Sequence, residues 1–165
     1  MRSAAAVLGA LLLVGILAVP RRAGDGPAPA ASAAPALIRI RGGAELEGLT
    51  RRTLERIFAT RPGARMRERL ESGEIAPVTI ELNALGDAFT RYHVPGEVIG
   101  ETIAFDPLTL PLVDTELGRL PATRETVLAH ELGHAVLKLR LEDQVIRDVE
   151  NPLRAELGLP LRVRF

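Results

Sequence analysis

Residues 37–41 alternate apolar and charged side chains, Leu37-Ile38-Arg39-Ile40-Arg41, and then meet Gly42-Gly43, the period-two pattern of a half-buried strand. Leu49, Leu54, Ile57 and Phe58 recur at helical spacing, which predicts a helix over 49–58. Pro62-Gly63 interrupts it, and 64–70 resumes as a charged surface helix. Val78, Ile80 and Leu82 share one side of 77–82 and predict a second strand. The stretch 83–95 has no period. Val98, Ile99, Ile103 and Phe105 then predict a third strand over 97–105, stopped by Asp106-Pro107. A proline-bearing loop leads to Pro121. From Ala122 to about Leu139 the chain reads as a helix, with Thr123 as cap and Glu125 and Glu131 in its early turns. A short helical segment over 143–149 follows, and Asn151-Pro152 is a cap-plus-first-turn pair opening a last helix that stops at Gly158. Residues 159–165 alternate again, as a strand or tail. The pattern predicts an α+β fold: a small mixed β-sheet, one long helix and a helical C-terminal part.

Ahead of this region the pattern changes twice. Ala4 to Val19 is an unbroken apolar and small run after Arg2, followed by Pro20-Arg21-Arg22, so 1–22 reads as a signal peptide or an N-terminal membrane anchor. Residues 23–36 are Gly, Pro, Ala and Ser with almost no bulky side chain, the composition of a linker. The folded domain is therefore expected over 37–165, exported to a periplasmic or secreted location, with membrane contact through the N-terminal segment where that segment is retained.

Composition narrows the chemistry. The 165 residues are 47 % hydrophobic and 25 % charged, which suits one globular domain and excludes wholesale disorder. Twenty-one basic and 21 acidic side chains leave no net charge, and nucleic-acid binding wants a basic excess. Cysteine is absent, so there are no disulfides, thiolate ligands or thiol nucleophiles. No phosphate-cradling glycine loop and no Gly-x-Ser-x-Gly elbow occurs.

The informative residues are His130-Glu131-Leu132-Gly133-His134, an H-E-x-x-H array inside the predicted long helix. Positions four apart lie on the same face one turn away, so both imidazoles can bind one Zn²⁺ while Glu131 stands beside an open coordination position. Zinc lowers the pKa of its water towards ~7, and a carboxylate there takes the proton as the oxygen attacks a carbonyl. Val127-Leu128-Ala129 before the array and Ala135-Val136 after it are the flanks of a buried helix. A catalytic site needs a third protein ligand. Glu142 and Asp143 follow so closely that reaching back demands a sharp reversal. Glu150 comes after enough chain for a turn and is preferred, with Asp148 and Asp143 as alternatives. Tyr92 and His93 read first as partly buried loop side chains, with stabilising an oxyanion as their secondary candidacy, and Arg154 reads first as a surface arginine on a short helix, with orienting a carboxylate as its secondary one; Arg65, Arg67 and Arg69 read as a solvated face.

Thr126 to Val136 resembles the active-site helix of the zincin metallopeptidases. The later Glu150-Asn151-Pro152-Leu153-Arg154-Ala155-Glu156-Leu157-Gly158 to Arg162 resembles the block that follows H-E-x-x-H in small bacterial toxin- and effector-type metallopeptidase domains, and Gly100 to Pro107 is similar to the strand ahead of the helix in that group. Leu137 and Arg140 stand where metzincins require Gly and His. The resemblance implies a zincin-like, gluzincin-type site: His130, His134 and Glu150 on Zn²⁺, Glu131 as base, a protein or peptide substrate, and an extended substrate docking along the strand that ends at Phe105, taken as a sheet edge. Two rivals remain: a zinc-binding interaction module without catalysis, and a metal-dependent amidase acting on a non-protein substrate.

Overall fold

The strand expected first forms as β1 (Ile38–Arg41). The computed structural model describes residues 37–82, 89–91 (backbone) and 101–163, all within one compact unit, Ala33–Phe165. Residues 1–22 and 23–36, with Tyr92 and His93, lie outside the described residues. Among the described residues no helix is long and apolar enough to cross a membrane.

Helix α1 (Ala44–Phe58) begins five residues ahead of the apolar period, because Glu45 and Glu47 favour a helix N-terminus and Glu47 Oε1 accepts the Gly42 N–H at 3.2 Å. Pro62 does not interrupt α2 (Arg61–Glu71) but sits in its first turn, where a missing N–H costs nothing, behind the Thr60 cap. The α1–α2 corner is so close that a Cβ on Gly63 would stand 1.9 Å from the Ile57 carbonyl oxygen.

β2 (Val78–Leu82), β3 (Phe89–Arg91) and β4 (Thr102–Phe105) complete a four-stranded sheet in the order β1-β2-β4-β3. β1, β2 and β4 run parallel, and β3 is antiparallel to β4. The strand ending at Phe105 is thus an interior strand, buried at every position, and the expectation that it forms the sheet edge is corrected: the end strand beside it is β3. Asp106 stops β4 by accepting the Leu108 and Thr109 N–H groups at 2.9 and 3.3 Å.

The expected loop before Pro121 instead holds a hairpin, β5 (Leu112–Thr115) and β6 (Gly118–Pro121). Its prolines hid it: Pro111 precedes β5 and Pro121 ends β6, positions where a strand tolerates proline. Gly118, at φ +102°, makes the turn, and Thr115 Oγ1 braces it by donating to the Gly118 carbonyl at 2.7 Å.

Helix α3 (Arg124–Leu137) carries the H-E-x-x-H array and is capped by Thr123, as its sequence predicts, in a reciprocal pair with Thr126. Leu128, Leu132, Ala135 and Val136 pack into a core shared with Leu54 and Ile57 of α1, Met66 and Leu70 of α2, and Val78, Ile80, Ile103 and Phe105 of the sheet. The chain after α3 forms α4 (Glu142–Val145), a π-helical turn (Ile146–Glu150) and α5 (Asn151–Glu156) without a break. Asn151 has helical φ and ψ of −66° and −41°, so it does not cap a separate helix. The π turn has a local cause. Pro152 has no N–H for the carbonyl four residues back, that of Asp148, and its ring crowds that carbonyl; the wider turn relieves the clash and the Asp148 carbonyl takes Arg65 Nη2 at 3.5 Å.

Candidate metal centre

His130 and His134 project from one face of α3, and their Nε2 atoms lie 3.2 Å apart with the rings edge to face. Each ring is aimed by a partner on its other nitrogen. His134 Nδ1 is 2.6 Å from the Leu139 carbonyl, and His130 Nδ1 is 3.1 Å from Glu150 Oε2. Both partners accept, so each Nδ1 serves as a donor and each Nε2 is the nitrogen left facing inward. A separation of 3.2 Å suits a proton between the two nitrogens as well as a cation in front of them.

The acidic group that joins them is Glu142, with Oε2 at 2.9 Å from His130 Nε2 and Oε1 at 3.4 Å from His134 Nε2. The sharp reversal that Glu142 needs to reach back to the helix does occur. Lys138 adopts the left-handed conformation at φ 59°, the one non-glycine among the described residues with positive φ, and ends α3 abruptly. The same turn swings the Leu139 carbonyl back onto His134, and α4 starts at Glu142 three residues later. A sequence signal existed: Glu142-Asp143 is an acidic pair of the kind that opens a helix.

Glu150 is brought to His130, but on the Nδ1 edge of the ring, away from the paired Nε2 atoms. It is 2 % exposed and its oxygens are fully engaged: Oε1 accepts from Arg154 Nε at 2.9 Å, and Oε2 from Arg162 Nη1 at 2.9 Å as well as from His130. Arg154, itself 3 % exposed, is therefore a buried partner of Glu150 and not a surface side chain. Asp148 pairs with Arg147 at the surface, outside this group. Arg162 closes the block that resembles the toxin- and effector-type domains, but neither that resemblance nor the alternating stretch around it pointed to Glu150 as its partner.

Burial works against charge on both members of the His130–Glu150 pair, and the pairing overcomes it. The hydrogen bond to Glu150 and the negative charges of Glu150, Glu131 and Glu142 raise the His130 pKa above its ordinary value. The hydrogen bond from His130 and the guanidinium charges of Arg162 and Arg154 hold Glu150 below the usual carboxylate range.

His130, Glu131, Glu142 and Arg162 line a cavity of about 230 Å³, whose other wall is apolar and includes Pro111, Val113 and Val127. The hairpin missed in the sequence thus supplies part of one wall. Ligand atoms of His130, His134 and Glu142 all lie within 4.8 Å of one another, so this group can hold a metal ion. Two imidazoles and a carboxylate suit a borderline divalent cation. No family model, curated protein or solved structure matches the chain.

Proposed function

We propose that this protein is a zinc-dependent peptidase of zincin type, with His130, His134 and Glu142 as the metal ligands and Glu131 as general base. The observation that carries the reading is the pair of inward Nε2 atoms, aimed by their Nδ1 partners and met by Glu142, with Glu131 lining the same cavity as His130 and Glu142. Glu142 replaces Glu150 as third ligand because it alone of the two faces both Nε2 atoms; Glu150 orients His130 from behind.

Zn²⁺ bound there supplies Lewis acidity that polarises a carbonyl and acidifies water. Glu131 takes the proton released from the attacking water and passes it to the leaving amine. Its place one residue after His130 on the same rigid helix holds it to the reacting centre without a mobile loop. The apolar wall of Pro111, Val113 and Val127 gives a substrate side chain a dry surface. Export, with 1–22 as signal or anchor, completes the proposal.

The test is to incubate the zinc-loaded protein with a proteome-derived peptide mixture and, separately, with peptidoglycan. New peptide termini that disappear on chelation and return with Zn²⁺ support the reading. Release from peptidoglycan alone assigns the amidase chemistry instead, and one tightly held zinc without hydrolysis of either assigns the interaction module.

A further inference from the structure

We propose that the segment 159–163 is a clasp for the cation site: it delivers Arg162 to Glu150, and through Glu150 it sets how firmly His130 is held. The inference rests on the reading that His130, His134 and Glu142 bind a divalent cation. Arg162 is in this account a positioning residue, acting through Glu150.

The chain leaves α5 through Gly158, at φ +68°, and doubles back. It then runs antiparallel to β5. Glu116 N–H donates to the Leu161 carbonyl and Val163 N–H to the Asp114 carbonyl, each at 3.0 Å, so that Thr115 stands opposite Arg162. On its other side the segment is held by one side chain. Asn151 Nδ2 donates to the Arg162 carbonyl at 3.0 Å, and Asn151 Oδ1 accepts the Arg162 N–H at 2.8 Å. Asn151 thus acts as a strand's worth of pairing for a single residue, and this is its use in place of a helix cap. Two further bonds secure the approach, from Arg154 Nη1 to the Pro160 carbonyl at 3.0 Å and from Leu161 N–H to Glu116 Oε1 at 3.2 Å.

So much backbone fastening around residue 162 fixes where its guanidinium goes. It ends 2.9 Å from Glu150 Oε2, the same oxygen that receives His130 Nδ1–H. Arg154 reaches the other oxygen from the same helix, one turn on, so its contact is local. Arg162 is the contact that depends on the fold closing. With it in place neither carboxylate oxygen of Glu150 can swing away from His130. Without it, one hydrogen bond from the imidazole is all that holds Oε2. Partners of this kind, one step behind a ligand, typically change metal affinity by about 10–100-fold.

The clasp makes a prediction opposite in sign to plain electrostatics. Arg162 is a cation beside a cation site, and charge repulsion alone says that its removal tightens metal binding. Orientation says that removal weakens it. The readout is Zn²⁺ affinity of the full chain, measured at neutral pH by competition with a chromophoric chelator, together with the visible absorption of the Co²⁺-loaded protein. Arg162→Ala and Asn151→Ala, which frees the segment while leaving every charge in place, are each expected to bind Zn²⁺ about 10–100-fold more weakly and to alter the Co²⁺ spectrum. Arg162→Lys, which keeps the charge and one donor, is expected to recover part of the loss. Arg61→Ala, which breaks an exposed pair with Glu156, leaves affinity unchanged. Equal or tighter binding in Asn151→Ala and in whichever Arg162 variant folds overturns the clasp. A wild-type chain that takes up no Zn²⁺ or Co²⁺ overturns the cation site itself, and the two failures are told apart by that first titration.

Discussion

On α3 the two imidazoles stand four residues apart, and helical geometry alone brings them to one face. On the stretch Glu142–Glu156 the two carboxylates stand eight residues apart and reach opposite edges of the same imidazole, Glu142 at Nε2 and Glu150 at Nδ1. That second arrangement needs a left-handed residue at 138 to start the stretch in the right place and a π turn ahead of Pro152 to set the phase between its two ends. One region makes its half of the site by local rule. The other makes its half through two departures from local rule. The exposed and buried carboxylates differ accordingly: Glu142 is a ligand candidate whose side chain is 57 % exposed, and Glu150 is a structural anion wrapped by three donors.

The comparison is broken most severely on α3. Glu131→Gln keeps the helix and both imidazoles, so zinc content is expected to stay at the wild-type level while turnover falls by about 10²–10⁴-fold. Parallel metal analysis and peptide-cleavage rates decide it; hydrolysis retained in the variant removes Glu131 as the base.

Next comes the contrast between the two carboxylates. Glu150→Ala strands Arg154, Arg162 and the His130 Nδ1–H around a vacated centre, at a cost of about 3–5 kcal/mol in urea unfolding of the metal-free protein. Glu142→Ala loses an exposed side chain, so metal-free stability should move by less than about 0.5 kcal/mol. Its zinc affinity, by contrast, collapses. A Glu142 variant that binds zinc like wild type would return the third-ligand role to another residue.

Gly133 sharpens the comparison, because it is where the two regions touch. A Cβ there would lie 3.0 Å from Val145 Cγ1 and 3.2 Å from Val149 Cγ2, pushing the second stretch off α3. Gly133→Ala is expected to destabilise by about 1–3 kcal/mol and to weaken zinc binding with it, read by thermal melts with and without the ion.

The smallest effects are those of pH, and their signs separate the partners. Glu150 titrates below its ordinary 4.5, so its contribution to stability is complete above that pH and is lost as pH falls through the lowered value. His130 titrates above 6.5, so in metal-free protein its contribution is complete below 6.5 and is lost as pH rises through the raised value. Zinc bound at His130 would reverse the second dependence, since proton and cation would compete for the same Nε2. Melting temperatures across pH 4–9, with chelator and with Zn²⁺, should cross; parallel curves would mean that His130 does not bind the ion.

The legible part of this molecule is the part governed by short-range periodicity. Leu37 to Arg41, Val78 to Leu82, and Thr123 with the helix behind it could be read because alternation, helical spacing and a capping threonine act within a few residues. The hairpin at 112–121 could not, because its prolines sit at strand ends where they break nothing. Glu142 was passed over because a reversal at Lys138, a lysine with positive φ, has no glycine to announce it. Asn151-Pro152 has the spelling of a helix start, yet the same proline produced a π turn inside a longer helix, and the asparagine was recruited by a backbone eleven residues away.

The solvent exposure of Glu142 has a kinetic consequence. The imidazoles are buried and braced, whereas the carboxylate opposite them is more than half exposed, and exposed side chains change rotamer in picoseconds to nanoseconds once released from their partners. An ion seated between them would meet solvent first on the Glu142 side, where a change of one rotamer opens its coordination shell. Two buried ligands and one exposed ligand make the exposed one the step at which such an ion would be gained or lost.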